Sequence, residues 1–169
     1  SACVPIAGIG ASAGGLRAFE TFVSALPSTL EMAFVLVQHL SPDHESELAQ
    51  LLQNHTRMNV SQVEDGMAVE ANRLYVIPPG KTLKIQDGAL HLSEAVAKQG
   101  YKAPIDQFFR SLAEDQGDQA VAVVLTGTGS DGAHGVKAIK EQNGLCMAQD
   151  PTEADYDGMP RSAIATGTV

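Results

Sequence analysis

The sequence predicts an α/β fold: an open, mostly parallel sheet flanked by helices, with an antiparallel hairpin insertion in the middle. Three observations carry that expectation. Short, wholly apolar runs such as residues 32–37 (MAFVLV) and 120–125 (AVAVVL) have the length and continuity of strands buried on both faces. Between them lie stretches whose apolar residues recur every three or four positions, the period of a half-buried helix. Near the centre the period drops to two around an Asp-Gly pair, the signature of a tight hairpin.

Taken in order, residues 4–9 form a short apolar run ending in glycines, as expected of a first buried strand. Leu16, Phe19, Phe22, Val23 and Leu26 then repeat at helical spacing, and Pro27 stops the helix. The run 32–37 is the second strand, ending in Gln38-His39. Ser41-Pro42-Asp43 gives start signals for a helix carrying Leu48, Leu51 and Leu52. From Val60 to Val69 apolar and polar residues alternate, residues 74–77 run into Pro78-Pro79-Gly80, and a hairpin follows around Asp87-Gly88. The whole stretch is expected to be an antiparallel insertion. Pro104 opens a helix with Ile105, Phe108, Phe109 and Leu112 on one face. The strand at 120–125 leads through a glycine loop into a helix with Val136 and Ile139. Residues 144–148 make a further strand, and 160–165 a last short helix.

At 169 residues the chain reads as one domain, 1–169, large enough to bury a real core. Its Ser-Ala start and its stop at Val169 raise the expectation of a piece excised from a longer, multidomain protein. A net charge of −9 with no Lys/Arg cluster argues against nucleic acid and anionic membrane surfaces as partners. No run is long and apolar enough to insert in a membrane, and no leader pattern opens the chain, so a cytoplasmic setting is expected. Cys3 and Cys146 stand apart in apolar runs, and the histidines lack metal-ligand spacing. No metal and no cofactor is expected.

The chemistry concentrates at carboxyl ends of strands, where open α/β sheets bind ligands. GIGASAGG at 8–15 fits two templates. Gly8, Gly10 and Ala13 match a dinucleotide fingerprint, and Gly10, Ser12 and Gly14 match a nucleophile elbow. The dinucleotide reading wants an acid at the end of the next strand, and His39 stands there instead. Gly127, Gly129 and Gly132 repeat the fingerprint with Asp150 downstream, but Asp131 sits inside that loop, where it would repel a pyrophosphate. The nucleophile reading asks for a base and an orienting carboxylate, and His39 and Asp131 supply both residue types at strand ends. Backbone N–H groups near Thr128 and Gly129 could form an oxyanion hole. Plainer readings stand beside these: Ser12 and Asp131 as helix N-caps, and His39 as a surface histidine. A non-catalytic binding or scaffold module on the same fold, or a nucleotide-binding domain, are the alternatives to an enzyme.

GIGASAGG with its following helix, VLVQHLSP, YVIPPG, VVLTGTGSDGAHG and AQDP…DGMPRSAI together resemble the catalytic domain of the chemotaxis receptor methylesterases of CheB type. The likeness runs over nearly the whole chain with the blocks in the family's order. It implies a Ser-His-Asp serine hydrolase, with Ser12 as nucleophile, His39 as base and Asp131 as acid, and with oxyanion and substrate contacts at Ala13, Thr128 and Gly129. It also implies hydrolysis of glutamyl methyl esters on methyl-accepting chemotaxis receptors, releasing methanol, with deamidation of receptor glutamines as a second activity. The partners so implied are the receptor and, in a longer protein, a receiver or methyltransferase domain. Two segments depart from the family's habit. The glycine loop reads Gly127-Thr128-Gly129 where GMG is common, and Tyr101-Lys102-Ala103-Pro104 replaces an Arg-Pro-Ser-type sequence.

Overall fold

In the computed structural model, residues 4–38, 47–94 and 103–169 are described. The first half-sheet alternates strand and helix: β1 (Ile6–Ala11), α1 (Gly15–Ser24), β2 (Ala33–Gln38), α2 (Leu48–Gln53) and β3 (Asn59–Gln62). The middle is all strand, with β4 (Met67–Ala68), β5 (Arg73–Val76), β6 (Lys81–Gln86) and β7 (Ala89–Glu94). Alternation then resumes with α3 (Pro104–Gln116), β8 (Ala120–Val124), α4 (Ala133–Glu141), β9 (Leu145–Ala148) and α5 (Gly158–Ala165).

Six strands form the main sheet in the order β3-β5-β2-β1-β8-β9, and every pairing in it is parallel. From β1 the chain runs outward through β2 on one side and later through β8 on the other. The strand order therefore reverses between β1 and β8, which is where such sheets open a crevice at their carboxyl edge. Ala11 is level with Gln38 of β2, and Gly10 with Val124 of β8. Ser12 therefore leaves the sheet at that crevice.

The sheet divides the core in two. One face packs Ile9, Ala11, Leu36 and Val76 against Phe19 and Val23 of α1 and Leu48 and Leu52 of α2. The other packs Val35, Val37, Ala122 and Val124 against Ile105, Phe108 and Phe109 of α3, Val136 and Ile139 of α4, and Met159 of α5. Helical repeats in the sequence overshoot slightly. Leu16 and Leu51 share the apolar period but stand 42% and 40% exposed, on the shoulders of helices whose contact stripe is narrower than the repeat.

The glycines of β1 have a packing cause. A Cβ on Gly10 would come within 2.5 Å of Ile105, and one on Gly8 within 3.0 Å of the Phe108 and Phe109 rings. Both glycines exist so that α3 can lie directly on β1. They neither cradle a phosphate nor leave room for a substrate, because their open side is filled by helix side chains.

The antiparallel insertion is smaller than the sequence suggests. Among the described residues β4, β6 and β7 form the separate sheet, in the order β4-β7-β6. The strands at Val60 and Leu74 join the parallel sheet instead, as β3 and β5. β3 is the edge strand and is largely uncovered, whereas β5 lies between β3 and β2 with Leu74, Tyr75 and Val76 all buried, as a short apolar run in a parallel sheet requires. The hairpin itself forms as expected. Asp87 and Gly88 both take positive φ, 52° and 75°, as a two-residue turn of this hand requires. Asp115 of α3 accepts their two N–H groups, pinning the hairpin to the helix. Cys146 is buried, its thiol donating to the Val136 carbonyl at 3.1 Å; Cys3 lies outside the described residues. Among the described residues no acidic, histidine and cysteine cluster has the makings of a metal site, and no helix is long and apolar enough to cross a membrane.

Candidate active site

Ser12 follows β1 directly and opens the turn into α1. Gly15 N donates to Ser12 O at 2.9 Å, and Gly14 takes φ 76°, a left-handed conformation that costs glycine little. The helix cap is Gly14, with no side-chain cap bond, so Ser12 is not spent as an N-cap. Its hydroxyl instead reaches the Met159 sulfur at 3.4 Å, a weak interaction that leaves it available for another partner.

The turn is clipped to the loop after β8. Ser12 N donates to Thr126 O at 3.0 Å, and the buried Thr126 hydroxyl lies 3.1 Å from both Ala13 O and Tyr156 O while accepting from Tyr156 N at 2.9 Å. Gln149, just past β9, closes the other side by accepting from Thr126 N at 2.9 Å. Gly127 passes so close that a Cβ there would strike both Ser12 Oγ and Met159 Sδ. Glycine is required because the loop runs over the hydroxyl with no space between.

Thr128 and Gly129 are exposed at the tip of this loop, with Gly129 at φ 84°. Among the described residues no acceptor takes the N–H groups of Ala13, Thr128 or Gly129. Unpaired backbone donors beside an exposed loop tip can bind an anion or a developing oxyanion.

Asp131 ends the loop, and its plain reading also changes. The residue capping α4 is Gly132, without a side-chain bond. Asp131 serves a different helix: its Oδ2 accepts from Ile105 N at 3.1 Å and its Oδ1 from Asp106 N at 2.9 Å, so it caps α3. Burial pushes its carboxyl up to about 6 from 3.8, helped by the Asp106 charge and opposed by hydrogen bonds from the backbone of Asp106, Ile105 and Gly132. It does not face outward into the glycine loop, so the repulsion expected there against a pyrophosphate does not describe this site. The dinucleotide reading fails instead on Gly8 and Gly10, whose open side is closed by α3.

The structure thus brings Ser12, Ala13, Thr128, Gly129 and Asp131 to the crevice between β1 and β8. His39 follows Gln38 in sequence but lies outside the described residues. Gln38 itself borders the turn, its Nε2 standing 3.0 Å from where a Gly15 Cβ would be. Three residues at the site escape the sequence reading: Thr126, Met159 and Asp106. Each looks like an ordinary core or helix residue, and only the tertiary path of the loop gives it a neighbour of chemical interest. The acid in the first turn of α3 was the one available signal for Asp106, and it points to the helix dipole rather than to another helix.

Comparison with known proteins gives the family and the fold. The family described as CheB methylesterase matches residues 7–169. A 104.1 kDa protein of Rhodobacter capsulatus, named for its place in the hypE 3′ region, is 47% identical over 122 residues, covering 72% of this chain and 13% of that protein. A Vibrio vulnificus protein named protein-glutamate methylesterase/protein-glutamine glutaminase 2 is 37% identical, covering 94% of this chain and 47% of its own length. The crystal structure of the Thermotoga maritima CheB methylesterase catalytic domain superposes with a TM-score of 0.88 at 30% identity, over 99% of this chain and 91% of that one. The chain therefore spans about half or less of these two longer relatives and nearly all of the solved catalytic domain. With a family match that runs from the first strand to the last residue, the chain belongs to the CheB methylesterase family.

Proposed function

We infer that this chain is a protein-glutamate methylesterase domain, working through Ser12, His39 and Asp131. The observation that carries the reading is the clip between the two loops. It holds a serine hydroxyl not used as a cap, a partly buried carboxylate and three backbone donors with no acceptor among the described residues at one sheet crevice. The names of relatives that match nearly the whole chain point to a methyl ester on a protein glutamate as the substrate, and the likeness to the receptor methylesterases makes a chemotaxis receptor the protein that carries it.

In this mechanism His39 takes the Ser12 proton as Oγ attacks the ester carbonyl carbon. Asp131 orients the imidazole and stabilises its charged form, and N–H groups at Ala13, Thr128 and Gly129 receive the oxyanion. As the tetrahedral adduct collapses, the carbon–oxygen bond to methoxide breaks and His39 returns the proton, releasing methanol. Water then attacks the acyl-serine by the same route, freeing a glutamate carboxylate and Ser12. An amide in place of the ester would release ammonia, which accounts for the glutaminase in the relatives' names. The same reading carries with it a cytoplasmic setting and, in the longer protein, a receiver or methyltransferase domain as the neighbour. No cofactor enters any step.

Methanol release from methylated receptor membranes tests this. Ser12→Ala is expected to lose about three orders of magnitude or more in rate, as loss of a triad nucleophile does elsewhere. Equal rates in the two proteins would refute the mechanism.

A further inference from the structure

A second aspartate is built into the site. Asp106, in the first turn of α3, is only 2% exposed. Its Oδ1 accepts from Gly132 N at 2.9 Å and Gly135 N at 2.7 Å, the first turn of α4. Asp131, preceding α4, accepts in turn from Ile105 N and Asp106 N, the first turn of α3. Each helix is capped by a carboxylate from beside the other, and neither has a side-chain cap of its own. The link is also direct, because the Asp106 backbone N–H holds Asp131 Oδ1 while the Asp106 carboxylate holds the residue after Asp131.

Capping alone does not explain an aspartate here. Asp106 Oδ2 is buried with no hydrogen-bond partner among the described residues. An uncompensated buried carboxylate oxygen costs stability, and a neutral acceptor would cap α4 without that cost. Among the described residues its charge acts on one titratable neighbour in the site, Asp131, and no charged group of β8, α4 or α5 adds to that effect.

We propose that Asp106 is a positioning residue for the esterase site: it locks the turn at 127–132 against α3, fixing the direction of the Asp131 carboxylate and the placement of the Thr128 and Gly129 donors. Its negative charge also raises the pH at which Asp131 becomes an anion. The proposal rests on reading Asp131 as the acid of the triad, and its test separates the two.

Two variants divide the roles. Asp106→Asn keeps an acceptor for Gly132 and Gly135 while removing the charge, and Asp106→Ala removes both. The pH dependence of Ser12 labelling by a fluorophosphonate reads the site, and carbon-13 NMR titration of the Asp131 carboxyl reads the charge without any reaction. Asp106→Ala is expected to slow labelling at pH 8 by about tenfold or more, as misplacement of catalytic groups does. Asp106→Asn should restore most of that rate, and its Asp131 titration and the acid limb of its labelling profile should both move to lower pH by about half a unit. Labelling of Asp106→Ala at the wild-type rate, or an Asp131 titration unmoved in Asp106→Asn, overturns the proposal. Should the alanine variant fail to fold, the asparagine titration decides alone. An Asp131→Asn variant that labels as fast as wild type would instead overturn the triad reading, while the Asp131 shift in Asp106→Asn remains measurable.

Discussion

Asp131 shows how one carboxylate can favour folding and activity at opposite ends of a pH window. Its folded pKa, about 6, lies above the 3.8 of an exposed aspartate, so the native state binds this proton more tightly than the unfolded chain. The stabilising contribution is complete below the unfolded value and is lost as pH rises through about 4 to 6. The catalytic role needs the anion and so grows over the same interval. Urea unfolding of wild type and Asp131→Asn tests the sign. The stability of wild type relative to the variant should fall by about 2–3 kcal/mol from pH 4 to pH 7. A constant or rising difference would show that burial does not dominate this group. Ser12 illustrates how residue-scale reading succeeds and then stops. Its place after a strand and before a helix was legible, because strand length, glycine and helical period all mark that boundary. That it escapes the capping role was not, since the choice between Ser12 and Gly14 depends on the path of the turn.

At the scale of elements, glycine in β1 is explained by what crosses it. A helix that begins Pro104-Ile105 brings a branched side chain onto Gly10, and two phenylalanines from the next turn cover Gly8. Gly10→Ala should therefore force α3 away from β1, at about 1–3 kcal/mol for overpacking, and lower the melting temperature by about 3–10 °C in a chain this size. A melting temperature within a degree of wild type would show that α3 yields freely. The sequence exposes the strands, the helices and the Asp-Gly hairpin, since each carries its own period or turn chemistry. It does not expose the fate of β3 and β5. Four-residue strands fit an antiparallel insertion as well as a parallel sheet, and only the pairing of β5 with β2, and of β3 with β5, decides. The glycine spacing misleads for a similar reason. Close helix packing and phosphate binding both demand a missing Cβ, and the residue type cannot tell them apart.

The whole molecule is a sheet between two separate apolar layers, with the site at its carboxyl edge, and this makes the layers energetically independent. Val23 lies in one and Val136 in the other, both fully buried. Val23→Ala and Val136→Ala should each destabilise by about 1–3 kcal/mol, and the double variant by their sum to within about 0.5 kcal/mol, because the sheet stands between them. Coupling well beyond that, measured by denaturant unfolding, would mean the two faces relax together. The fold, and the meeting of the loops after β1 and β8, were legible at this scale because distant segments converge by rule: parallel strands end on one edge. What the rule cannot supply is the mesh of loop contacts, from Thr126 to Ala13 and Tyr156, that turns proximity into a fixed geometry.

An activated Ser12 reacts with an electrophile that an ordinary serine hydroxyl resists, so active-site labelling reads the nucleophile itself. The protein is treated with a fluorophosphonate at pH 8, digested, and the modified residue located by mass spectrometry. About one label per chain is expected, carried on Ser12 and lost in Asp131→Asn or His39→Ala. An unlabelled Ser12, or a label on Ser12 that persists undiminished without His39 and Asp131, would contradict it.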